Sequence, residues 1–111
     1  MMTTTPVLFM VNTETIPGHT ITKSLGVVSG STVRAKNVMK DIGANLKSIA
    51  GGELTTYTQL LTESRNQALQ RMSADASARG ANAIVNVRFA TSSVANGASE
   101  LFAYGTAVVI E

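Results

Sequence analysis

At 111 residues, with 44% hydrophobic and only 14% charged side chains, the chain suits one domain with a sizeable core and has few charges to cover its surface. Its net charge of +2 comes from nine scattered Lys and Arg, with no basic run and no interleaved aromatic ladder, which argues against nucleic-acid binding. The absence of cysteine excludes disulfides, zinc knuckles and thiol nucleophiles.

The first apolar run, Val7 to Val11 behind Pro6, is β-prone and too short for a signal-peptide core or a membrane span. Nothing else approaches the ~20 apolar residues a span needs, so a soluble, cytoplasmic protein is expected, with residues 1–6 flexible. Pro17-Gly18 marks a turn, since Pro presets φ and Gly tolerates φ > 0. The following stretch alternates as a strand, with Ile21, Lys23, Leu25 and Val27 on one side and Thr20, Thr22, Ser24 and Gly26 on the other. Gly26 and Gly30 inside it point to a bulge or to another backbone passing close.

From Lys36 to Ile49 the period changes. Val38, Ile42, Leu46 and Ile49 recur at helical spacing, and Gly51-Gly52 stops the run. A longer helix follows. Thr56 and Gln59 fit a capping box, and Tyr57, Leu60, Leu61, Ala68, Met72 and Ala76 trace a stripe that Ser64 interrupts. Asp75 and Arg79 form an i,i+4 pair, and Gly80 supplies the stop. At 1.5 Å per residue this helix reaches roughly 36 Å.

Two strands end the chain, Ala83 to Thr91 and Glu100 to Ile110, joined through "TSSVANGAS" with Asn96-Gly97 as the tight-turn pair. In "ARGANAIVNVRF" strict alternation places Ala83, Val85, Val87 and Phe89 on one face and Ile84, Asn86 and Arg88 on the other. The last strand is apolar on both sides, with Leu101, Ala103, Gly105, Ala107 and Val109 against Phe102, Tyr104, Thr106, Val108 and Ile110. Helices can cover only one face of such a sheet, so the other is expected to meet a second copy of the chain. Asn86, Arg88 and Thr106 would be the polar groups within that interface. The expected architecture is a two-layer α+β subunit of order ββααββ, a single domain over residues 1–111.

The stretches "PGHTITKSLGVVSGSTVRAKN", "DIGANLKSIAGGELTTYTQLL", "RNQALQRMSADASARGANAIVNVRF" and "ELFAYGTAVVIE" resemble the successive blocks of the YbjQ-like family, small bacterial proteins whose heavy-metal-binding label is a family-level conjecture. The resemblance spans roughly residues 13 to 111. It implies a dodecin-like antiparallel sheet packed against one long and one shorter helix, and a homo-oligomeric ring, a pentamer. His19 stands where relatives carry an aromatic, and Ala90 where they often carry an acid.

Candidate chemistry is sparse. Soft metals want thiolate or imidazole, and His19 is the single histidine. The weak metal candidates are His19, Glu53 and Glu100, each usable only if symmetry gathers copies around an axis. Gly51, Gly52 and Glu53 precede a helix but lack the Lys-Ser/Thr of a phosphate loop, and Glu53 would repel an anion. Arg34, Arg65 and Arg88 are read either as inter-subunit ion-pair partners for Glu63, Glu100 and Asp41 or as an anion or nucleotide pocket between subunits, with Tyr104 and Tyr57 as stacking surfaces. No nucleophile–base pair or paired-acid spacing stands out, and no cofactor is expected. The expected function is a non-catalytic binding or scaffold oligomer, and the alternative is a heavy-metal-binding protein with ligands assembled at subunit interfaces.

Overall fold

The computed structural model describes residues 6–35, 55–95 and 98–111, side chains at 34, 35, 55–57, 94 and 95 excepted. The shorter helix expected at 36–49, the loop with Gly51, Gly52 and Glu53, and the Asn96-Gly97 pair lie outside the described residues. Strands β1 (Phe9–Met10), β2 (Ile21–Ala35), β3 (Ala83–Ala95) and β4 (Ala98–Ile110) form one sheet in the order β1-β3-β4-β2, and helix α1 (Thr55–Ala78) packs on one side of it. The fold is α+β in two layers.

The sheet is mixed rather than wholly antiparallel. β2, β3 and β4 pair antiparallel, but the two-residue β1 runs parallel to β3. No hairpin ties β1 to β3, and a connection holding β2 and α1 is long enough to reverse the chain for parallel pairing.

α1 ends where its sequence says it should. Gly80 takes φ +88°, Ala81 N–H donates to Ala76 O at 3.1 Å, and Gly80 N–H donates to Ser77 O at 3.0 Å, a complete Schellman closure. Ala76 and Ala81 meet in the core, the apolar contact that accompanies this motif. Arg79 pairs with Asp75 at 3.2 Å and its Nη1 donates to Leu25 O at 3.2 Å, tying the helix end to β2.

The buried stripe of α1 is Ser64, Ala68, Met72 and Ala76, one residue per turn. It packs on Val28, Ala103, Ala107 and Ile84. Small residues on both sides bring the helix down onto the sheet, with Gly30 directly beneath Ala68 and Met72. Arg71 Nη1 also donates to Ser31 O.

On the opposite side of the sheet Ile16, Ala83, Val85, Val108 and Ile110 form a second cluster, flanked by Val11 and Ile21. Residues 11–21 therefore cover one end of the face that helices leave bare. Asn82 pins that end. Its Nδ2 donates to Ile110 O at 3.0 Å, and Ile110 N–H donates to Asn82 Oδ1 at 2.7 Å. Asn82→Ala is expected to cost about 2 kcal/mol in urea unfolding, because it removes both bonds and leaves the Ile110 amide unpaired. Hydrogen exchange at Ile110 should accelerate in the same variant.

Candidate functional site

Two bulges decide which side chains share a face. In β3 the register slips between Val85, opposite Thr106, and Arg88, opposite Tyr104, so one extra residue enters β3. Asn86 sits there at φ 56°, a left-handed geometry that Asn tolerates better than most residues, and its N–H donates to Thr13 O at 3.0 Å. The pleat changes parity at this point. Ala83 and Val85 face the second cluster, while Ile84, Val87 and Phe89 turn to the helix side. This corrects the strict alternation expected for the strand, and it removes Asn86 from the proposed interface, since the bulge hands its amide to the N-terminal segment.

A matching slip in β2 lies between Ser24, opposite Val108, and Val27, opposite Thr106, with Gly26 at φ 92°. Beyond it Val28, Gly30 and Thr32 face the helix, and Val27, Ser29, Ser31 and Val33 face away. Leu25 packs toward the helix-side core, so the side shared by Ile21, Lys23, Leu25 and Val27 in simple alternation is broken up.

Past the cover of residues 11–21, the face away from α1 is built of cross-strand rows. Val27 lies beside Thr106. The next rows are Ser29–Tyr104–Arg88, Ser31–Phe102–Ala90 and Val33–Glu100–Ser92. Val27 is 68% and Val33 53% exposed, and the Phe102 and Tyr104 rings lie 5.7 Å apart at 36°. Arg88 makes no ion pair or side-chain hydrogen bond among the described residues. Glu100 accepts one bond, from Ser92 Oγ at 3.4 Å.

The remaining sequence candidates are not gathered with these. Arg65 is exposed on α1 and its Nη2 donates to Thr62 Oγ1 at 3.4 Å. His19 is exposed, with its ring 5.0 Å from that of Phe9. Arg34 belongs to β2 by backbone pairing with Ser99, and its side chain, like that of Tyr57, is outside the described set. No group of three or more His, Cys, Asp or Glu that could hold a metal occurs among the described residues.

Sequence reasoning missed two hollows on the helix side. α1 lies over β2 and β4 and scarcely touches β3, so Val87 and Phe89 line an open groove of about 600 Å³ with Met10, Val11, Asn12, Thr13 and Leu69. Met10, expected in the core, is 42% exposed here. A smaller hollow of about 160 Å³ lies among Thr32, Leu61, Ser64, Thr91, Ser99, Glu100 and Leu101. Thr32 Oγ1 shares its proton there between Ser64 O at 3.4 Å and Leu101 O at 3.5 Å. The bulge that turns Val87 toward the groove left one trace in the sequence, an Asn in the middle of an apolar strand.

Residues 8–111 match the model of the YbjQ family, described as "Putative heavy-metal-binding". The chain belongs to the YbjQ-like family. A UPF0145 protein of Hahella chejuensis is 62% identical over 104 residues, covering 94% of this chain and 100% of the relative. A UPF0145 protein of Dehalococcoides mccartyi is 59% identical over the same coverage. One from Halobacterium salinarum is 55% identical over 100 residues, covering 90% of this chain and 96% of the relative, so the YbjQ-like family extends to archaea rather than to bacteria alone. A crystal structure of a DUF74-family protein of unknown function from Pediococcus pentosaceus shares the fold at TM-score 0.59 and 17% identity, over 93% of this chain and 97% of that one. None of these names assigns an activity. No helix among the described residues of this YbjQ-like chain is long and apolar enough to cross a membrane.

Proposed function

We propose that the protein is a non-catalytic, homo-oligomeric binding or scaffold module acting in the cytoplasm, with the bare sheet face as a subunit interface. One observation carries the reading: Val27, Val33, Phe102 and Tyr104 form a contiguous apolar and aromatic surface that nothing among the described residues covers. A chain with 14% charged residues has little else to keep such a surface in water. Family resemblance supplies five as the number of copies. The test is sedimentation at micromolar concentration. The native chain is expected to sediment as a closed oligomer, and the double variant Val27→Lys, Val33→Lys as a monomer that still unfolds cooperatively. A native monomer sinks the proposal.

The family's metal label supports a second reading, in which symmetry gathers one Glu53, Glu100 or His19 per subunit around an axis. Calorimetry with zinc, copper and nickel on untagged protein tests it. At least one ion per oligomer supports the reading, and no heat of binding rejects it.

A further inference from the structure

The bare face carries one cation and one anion, and their placement specifies how two copies would meet. Arg88 lies in the row Ser29–Tyr104–Arg88 and Glu100 in the row Val33–Glu100–Ser92, with the row Ser31–Phe102–Ala90 midway between them. Glu100 and Tyr104 are four residues apart on β4, so the charged rows are separated by roughly 14 Å along the strands. Within one subunit that spacing keeps the Arg88 guanidinium from the Glu100 carboxylate. Neither charge has an ionic partner among the described residues.

We infer that two copies pack face to face about a two-fold axis that runs across the strands through the Ser31–Phe102–Ala90 row. The inference rests on the oligomer proposed above and adds the pairing geometry. Rotation about that axis exchanges the two charged rows while leaving each strand column in place. Arg88 of one copy then falls over the Ser92–Glu100 pair of the other, and Glu100 over the Tyr104–Arg88 pair, so a single contact yields two equivalent ion pairs. The Tyr104 hydroxyl arrives over the opposing Glu100 carboxylate and can donate to it. Phe102 meets its own copy at the centre, where an aromatic anchor contributes most. Sheets stacked about 10 Å apart leave each Arg side chain the right length to cross. An ion pair buried this way acts mainly on register, since a shifted or parallel docking would bury Arg88 unpaired. In a ring with an odd number of copies, the same contact joins two rings rather than neighbours within one.

The tests are charge exchange and self-cross-linking. Arg88→Glu and Glu100→Arg are each expected to weaken self-association in sedimentation at least about tenfold, and the double variant to return to within about threefold of the native chain. Independently, Ala90→Cys adds a thiol to a chain with no cysteine, and because it lies on the axis row it should link to its own copy through a short bismaleimide. Val27→Cys, away from the axis, should not. A native oligomer that is indifferent to both single charge reversals overturns the pairing and leaves the proposed oligomer standing. Single variants that dissociate without rescue in the double variant overturn it too. A native monomer overturns both.

Discussion

Gly30→Ala is expected to destabilise the protein by about 3 kcal/mol, a large share of the ~5–15 kcal/mol typical of a domain. A Cβ at Gly30 would lie 2.3 Å from both Ala68 O and Met72 N and 2.8 Å from the Arg71 carbonyl carbon. These are helix backbone atoms and cannot rotate aside. α1 would have to lift from β2, and Met72, Val28 and Ala68, all essentially without solvent contact, would lose their packing together. The comparison is Gly18→Ala. Nothing lies within 4 Å of a Cβ there, but φ is +83°, so the cost is backbone strain alone, about 1 kcal/mol. Urea unfolding at fixed protein concentration separates the two, because any self-association makes apparent stability depend on concentration. If both variants lose the same amount, the close helix–sheet approach is not what Gly30 provides.

Met72→Ala is expected to cost about 2–5 kcal/mol. Met72 is the largest of the fully buried side chains and stands at the centre of the helix–sheet core. Its surroundings are Ala68, Ala76, Ala103, Ala107 and the Gly30 backbone, short groups with no reach to collapse into the space left behind. The cost should therefore sit toward the upper part of that range. Leu61→Ala, on the same helix but 39% exposed, should cost less than about 1 kcal/mol. Equal losses at the two positions would place the core elsewhere along α1. Met72→Leu is expected to recover most of the loss, since it restores volume without a polar group.

The helix stripe Ser64, Ala68, Met72 and Ala76 was legible residue by residue, as were the stop at Gly80 and the Asp75–Arg79 pair. The hairpin was legible too, although its strands run farther than expected, to Ala95 and from Ala98. Thr91, Ser92, Ser93 and Ser99 had suggested a loop because they are polar. They extend the ladder instead, because backbone pairing with β4 and β2 satisfies the chain whatever the side chain. Arg88 and Tyr104 were named from sequence, and the structure places them directly opposite one another. Glu100 was weighed only as a metal ligand and an ion-pair partner. Its place on the same face, two rows from Arg88, depends on β3 being bulged.

Local residue order was enough to determine the element types, the ends of α1 and the family, because helical and extended periods, caps and turn pairs are short-range properties. Which face each strand residue meets was decided only in the folded chain. Parity along β2 and β3 reverses at bulges, and a bulge forms where a second strand or segment offers hydrogen bonds to the extra residue, as Thr13 does for Asn86. Gly30 reads in sequence as an unspecified glycine, and only the arrival of α1 makes it the one residue type with room to stand there.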